Sequence, residues 1–288
     1  MPVKTIGKIL REHDTRLWRI LNHYVEESRR EADFSSVREV GVDETSSKRG
    51  HNYVILFVDL GKPRTMFVTE SKDASTLSRF EEDIEYHKGD ARKVEEICCD
   101  MAPAFISGVE ENFPHAQITF DKFHVLKVLH EAVDKVRSEE QDLCPELKKT
   151  RYIWLKNPRN LKEREASVLE SLQLKKLNLK AMRAYHICLN FQELRNQTTQ
   201  EAEIFLKKWY YWATPSRLEP IKEAVYTIKQ HWTGILRWFK SKSNNGILGD
   251  INSLVQAAKA RARGYRTTKN LINTIYLISG KFNFKLPT

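Results

Sequence analysis

Apolar residues at the start of the chain recur three or four positions apart. Val3, Ile6 and Leu10 form one stripe; after the polar pair His13-Asp14, Leu17, Leu21 and Val25 form a second, with Trp18 beside it. The spacing predicts two helices joined by a short turn within residues 1–33. Such a pair reads either as the second half of a helix-turn-helix or as a helical hairpin packed on the next domain. From residue 37 the pattern shifts to short runs rich in Val, Ile, Phe and Tyr: Val37–Asp43, Tyr53–Asp59 and Arg64–Thr69. Turn signals at Lys48-Arg49-Gly50 and Gly61-Lys62-Pro63 separate them, which predicts an antiparallel meander. A helix with Leu77, Phe80 and Ile84 on one face follows, then a short strand ending at Asp100, a helix opened by Pro103 and a last strand at Ala116–Asp121. Strand–helix–strand segments require parallel, right-handed crossovers. The expected class is therefore α/β, a mixed five-stranded sheet with three antiparallel strands and two added in parallel.

Beyond Phe123 the period is helical almost throughout. Phe123, Leu126, Leu129, Val133 and Val136 make an amphipathic stripe, and Trp154, Trp209, Trp212, Trp232 and Trp238 supply bulk for a helical core. A further helix spans Leu254–Arg263 and is closed by Gly264. The expected organisation is a helical pair over 1–35, a sheet-bearing core over 36–140, a helical insertion over 141–243 and C-terminal helices over 244–288 that complete the core.

Composition narrows the class. The 288 residues are 41% hydrophobic, enough for a real core. No run of eighteen uncharged apolar residues occurs, and the first thirty residues lack a signal-peptide apolar stretch, so neither a membrane span nor secretion is expected. The four cysteines form no C-x-x-C pair, so no zinc is expected. Net charge is +10 but uneven: residues 41–150 carry −7, whereas 151–240 carry +9 and 241–288 carry +7. A basic half attracts phosphate backbones. Within it, Lys259, Arg261, Arg263 and Arg266 are the candidate DNA contacts, unless they form a merely solvated helix face. An acidic module beside such a surface makes sense if its carboxylates hold cations.

Three aspartates, Asp43, Asp100 and Asp121, fall at the C-terminal ends of expected strands, the edge where functional groups converge in sheets with parallel connections. The strands carrying Asp43 and Asp100 are expected to be central neighbours. Adjacent carboxylates repel, and their common use is to bind divalent cations. Two such ions activate an attacking hydroxyl and stabilise a leaving oxygen in phosphoryl transfer. The competing reading is that aspartates at strand ends form turns.

The run Val40-Gly41-Val42-Asp43-Glu44-Thr45-Ser46-Ser47-Lys48-Arg49-Gly50-His51-Asn52-Tyr53 resembles the start of the catalytic domain in the ISL-three family of bacterial insertion-sequence transposases. The resemblance continues through Asp100–Phe105, Phe120–Val125, Arg151–Asn157 and Ala257–Arg266, in order, across residues 36–280. It implies an RNase H-like core of the DDE superfamily and transposition chemistry dependent on Mg²⁺ or Mn²⁺, with two ions in the active state. Asp43 resembles the first metal-binding carboxylate and Asp100 the second. Asp121 and His124 match the family's D-x-F-H motif and are expected to support the site, although His124 reads equally as a packed core histidine. DNA, both element ends and target, and further copies of the chain are the implied partners. The implied location is the bacterial cytoplasm, at the nucleoid.

Two departures from the family pattern stand out. Where relatives read N-G-x-x-E-G-x-N, this chain has Asn245-Gly246-Ile247-Leu248-Gly249-Asp250-Ile251-Asn252, so Gly249 holds the glutamate position and Asp250 follows it. Asp250 is the candidate third carboxylate only if the helix start shifts, because one residue turns a helical side chain by about 100°. The zinc finger and full helix-turn-helix of relatives also have no counterpart before residue 36, which suggests a truncated copy. The expected function is DDE-type cleavage and strand transfer. A catalytically inactive remnant that binds DNA or transposase is the alternative, with a host nuclease on the same scaffold a distant third.

Overall fold

A computed structural model describes residues 2–48, 52–70, 75–174, 179–241 and 246–285. The chain forms two compact units, one built from residues 1–121 and 243–288, the other from 122–242.

In the first unit the strands β1 (Glu39–Lys48), β2 (Asn52–Asp59), β3 (Arg64–Glu70), β4 (Glu96–Cys99) and β5 (Gln117–Phe120) form one sheet in the order β3-β2-β1-β4-β5. The first three pair antiparallel, and β4 and β5 join in parallel, as the sequence predicts. Val54, Leu56 and Val58 face one side of the sheet while Ile55 and Phe57 face the other, and all five are buried. A strand covered on both faces reads as a continuous apolar run, which explains Val54–Val58. Helices α3 (Ser75–Tyr86) and α4 (Pro103–Asn112) cover one face through Leu77, Phe80, Ile84, Phe105 and Val109. Helices α2 (Asp14–Arg30), α12 (Gly246–Ala262) and α13 (Thr268–Ser279) contribute Val25, Leu248, Ile251, Val255, Leu271 and Ile275 to the core on the other face.

The amino-terminal pair, α1 (Val3–Leu10) and α2, is thus a hairpin docked on the sheet unit. Asn273 donates to Asn22 at 2.7 Å. The Arg29 guanidinium bonds the Asp83 carboxylate and lies 5.0 Å from the Tyr276 ring centroid. Burial pushes the Tyr276 hydroxyl up to about 12, and that hydroxyl accepts the Val68 N–H at 2.9 Å. Between pH 10 and 12 the unfolded tyrosine ionises while the folded one stays neutral, so stability falls with rising pH across that window. Tyr276→Phe is expected to remove about 2–3 kcal/mol of that alkaline loss, measured as the change in denaturant-unfolding free energy between pH 9 and 12.

The second unit is helical: α5 (Lys122–Glu140), α6 (Arg151–Trp154), α7 (Glu163–Leu174), α8 (Lys180–Gln192), α9 (Thr199–Ala213), α10 (Glu219–Gln230) and α11 (Trp232–Leu236). Helix α5, which the sequence reading groups with the sheet, packs instead on α8 and α10. Trp154 and Trp209 are buried in its core, their indole N–H groups donating to Thr150 Oγ1 at 2.9 Å and the Ile187 carbonyl at 3.0 Å. Trp212 departs from the expected core role, being 51% exposed. No helix among the described residues is long and apolar enough to cross a membrane.

Candidate reaction centre at the edge of the sheet

The centre is set by how β1 meets β4. The parallel register pairs Val40 with Ile97 and Gly41 with Cys98, and two residues further along each chain stand Asp43 and Asp100. Neighbouring strands lie about 4.8 Å apart. Strand β1 then runs on to Lys48, well beyond the last residue it pairs with on β4. Asp121 follows β5 and donates its own N–H to the Cys99 carbonyl at 2.9 Å, so the C-terminal ends of β1, β4 and β5 turn toward one edge. Burial raises the Cys98 thiol well above its ordinary range, and the negative charges of Asp121 and Asp43 add to that shift.

Asp43 is held from two sides. Its Oδ1 accepts the Glu44 N–H at 2.8 Å, and its Oδ2 accepts from Asn252 Nδ2 at 3.0 Å. Asn252 is fixed in turn: Thr45 Oγ1 donates to Asn252 Oδ1 at 2.5 Å, and Gln256 Nε2 donates to Thr45 Oγ1 at 2.5 Å. Donors and acceptors alternate along the chain Gln256, Thr45, Asn252, Asp43, so the asparagine amide has one favoured orientation. One turn later Lys259 Nζ donates to the Ser46 carbonyl at 2.7 Å. Helix α12 approaches this closely because Gly41 has no side chain. A Cβ there would lie 2.7 Å from Leu248 Cδ2. Asp100 Oδ1 accepts the Ala102 N–H at 2.8 Å, an Asx turn just before α4.

Asp250 is exposed on α12. At about 100° per residue its side chain lies about 160° around the helix from both Leu248 and Asn252. Gly249 lies about 60° from Asn252, and a Cβ built on it meets nothing within 4 Å. His124 sits on α5 in the helical unit, half-buried, with its ring 5.8 Å from that of the exposed Phe123. Lys259 and Arg263 line one hollow beside α12 and Arg261 and Arg266 another, and both hollows are also lined by Gly264 and Tyr265.

Sequence reading missed Asn252, Gln256 and Thr45. The only available signal was that Asn252 stands at the final asparagine of the N-G-x-x-E-G-x-N pattern. Among the described residues no group of three His, Cys, Asp or Glu side chains is close enough to hold a metal ion. The donor set here is two carboxylates, which suits Mg²⁺: that ion keeps several waters and is commonly held by one or two carboxylates plus substrate phosphates.

The chain is similar to known transposases. A family model described as Transposase, of the ISL-three DDE type, matches residues 40–275. The transposase for insertion sequence element IS1001 of Bordetella parapertussis is 26% identical over 246 residues, covering 82% of this chain and 60% of that protein. The transposase for insertion sequence element IS1557 of Mycobacterium tuberculosis is 24% identical over 297 residues, covering 93% of this chain and 64% of its own length. The chain thus spans about three fifths of the length of these curated relatives. With the family match running from the second residue of β1 to the last turns of α13, the chain belongs to the ISL-three family of transposases.

Proposed function

We propose that the sheet unit carries the reaction centre of a DDE-type transposase. The reaction is metal-dependent hydrolysis of a phosphodiester at an insertion-sequence end, followed by attack of the freed 3′-hydroxyl on target DNA. The single observation that carries this reading is the parallel, in-register pairing of β1 with β4, two residues short of Asp43 and Asp100 in the two chains. Mg²⁺ or Mn²⁺, two ions in the active state, would be held by Asp43 and Asp100; the cations supply a lowered pKa for the attacking water and offset charge on the leaving oxygen. The chain's own part is to fix both carboxylates before substrate arrives. Asn252 aims Asp43, the Ala102 N–H aims Asp100, and neither carboxylate has to reorganise during reaction. In-line displacement by water needs no covalent enzyme intermediate, so no serine or tyrosine nucleophile is required. The natural partners are element-end and target DNA and further copies of the chain, at the bacterial nucleoid.

Asn252 is a positioning residue in this scheme. Asn252→Ala is expected to lower the cleavage rate by about 10–100-fold, the usual effect of losing a group that orients a metal ligand. DNA affinity measured without divalent ion should not change, which separates positioning from misfolding.

A second reading is a chain that binds DNA or full-length transposase without cleaving. It is favoured by the exposed Asp250 and by the absence, among the described residues, of a cluster of three His, Cys, Asp or Glu side chains that could hold a metal ion. The deciding assay incubates the purified chain with duplexes carrying the ends of its own element, in Mg²⁺ or Mn²⁺. Nicks with 3′-hydroxyl ends and joined products are expected. Retarded but intact duplex, in the wild type and in Gly249→Glu alike, would leave only the binding reading.

A further inference from the structure

Beyond Asp43, β1 and α12 run side by side. Asn252 reaches residues 43–45, Gln256 reaches 45–46 and Lys259 reaches 46, each helical turn meeting the next stretch of strand. At the far end, Lys48 on the strand and Arg263 at the helix terminus line one open hollow of about 540 Å³, together with Ser47, Gln256, Lys259 and Tyr265. Arg263 is in the left-handed conformation at φ 56°, and Gly264 follows at φ 90°, so the helix ends abruptly there. Its final carbonyl end favours cations. Lys48 and Arg263 are both exposed. Lys259 spends one donor on Ser46 and forms part of the lining. Five strand residues from Asp43 to Lys48, at about 3.3 Å each, place the hollow about 16 Å along the seam. Eleven helical residues from Asn252 to Arg263, at about 1.5 Å each, give the same length.

We propose that this hollow is a phosphate-binding subsite for the DNA strand that lies along the β1–α12 seam. Lys48 and Arg263 each take one phosphate of that strand within about five base steps of the bond at Asp43, given about 3.4 Å per step of B-form strand. Arginine is suited to this by its planar, bidentate donors, and lysine by its point charge. Tyr265 stands at the edge, where it can meet a sugar or base. The proposal rests on the reaction-centre reading for the position of the cleaved bond, but not for the binding itself.

The test measures affinity of the full chain for a fluorescent duplex of arbitrary sequence, in EDTA, over a range of salt. The variant is Lys48→Gln/Arg263→Asn; asparagine accepts the left-handed backbone at 263. Each phosphate contact contributes a slope of about 0.9 in log affinity against log salt. The double variant should therefore flatten the slope by about 2 and lose affinity most at low salt. Lys48→Gln alone, at an exposed strand end, should flatten it by about 1 and serves if the double variant does not fold. An unchanged slope in a variant with wild-type circular dichroism overturns the subsite, as does a wild type that does not bind DNA. Cleavage is not read in this experiment. A chain that binds as expected but never nicks defeats the reaction-centre reading alone, and one that nicks with an unmoved slope defeats the subsite alone.

Discussion

Asp43→Asn is expected to cut metal-dependent nicking by about 10²–10³-fold or more while leaving the chain folded. That is the usual cost of removing one group of a pre-set charged site. The substitution is nearly isosteric, yet the amide cannot do what the carboxylate does. The Glu44 N–H points at one oxygen and Asn252 Nδ2 at the other, so position 43 must accept on both sides. An asparagine accepts on one side only, and its NH₂ would face a donor. Rotating Asn252 does not relieve this, because Thr45 donates to the Asn252 oxygen while accepting from Gln256. The structural cost is one mismatched hydrogen bond, about 1–3 kcal/mol. The catalytic cost also includes the lost charge. Thermal unfolding and nicking measured on the same preparation separate the two. A small fall in Tm with near-complete loss of nicking supports the assignment, and wild-type nicking by Asp43→Asn removes it. The comparison is made in Mg²⁺ and in Mn²⁺, and in a Gly249→Glu background where wild-type turnover is low.

Much of this centre was legible in the sequence because strand order follows from local patterns. Short runs rich in Val, Ile, Phe and Tyr, the tight turn at Gly61-Lys62-Pro63 and the helices between Arg64 and Asp121 leave one economical topology, in which the strands preceding Asp43 and Asp100 are neighbours. Packing across long sequence distances was less visible. The stripe on α5 states that one face is buried but not which helices bury it, so its membership in the helical unit could not be read. The start of α12 was hidden for a different reason. Gly246 and Gly249 fall in one turn, which lowers helix propensity by about 1 kcal/mol each. Burial of Leu248 and Ile251 on the sheet, over the bare backbone of Gly41, outweighs that penalty. The relay through Thr45, Asn252 and Gln256 was hidden as well. Polar residues on one face of an amphipathic helix look like solvated surface, and the contacts of Asn252 with Asp43 and Thr45 distinguish it from its neighbours.

The same helix yields the complementary result. Gly249→Glu is expected to raise Mg²⁺-dependent nicking by about 10²-fold, the scale on which one pre-set charge acts at such a centre. A side chain added at 249 projects into open space and clashes with nothing. It also lies on the flank of α12 shared with Asn252 and Gln256, which already faces β1 and Asp43. Asp250 lacks this placement: Leu248, Ile251 and Val255 bury the helix face opposite to it. Pulling Asp250 inward would require turning α12 by nearly half a rotation and exposing all three. Burial of side chains of that size contributes about 1.5–3 kcal/mol each, so the turn would cost far more than a metal contact from one short carboxylate recovers. The glutamate should also stabilise the helix by about 0.5–1 kcal/mol, since glycine is the poorer helix former. A rise in Tm with no nicking by either the wild type or the variant would show that added helix stability is the whole effect and that the inactive reading holds. If instead Asp250→Ala abolishes nicking and Gly249→Glu leaves it unchanged, the helix must turn when DNA binds, and Asp250 is the third carboxylate after all.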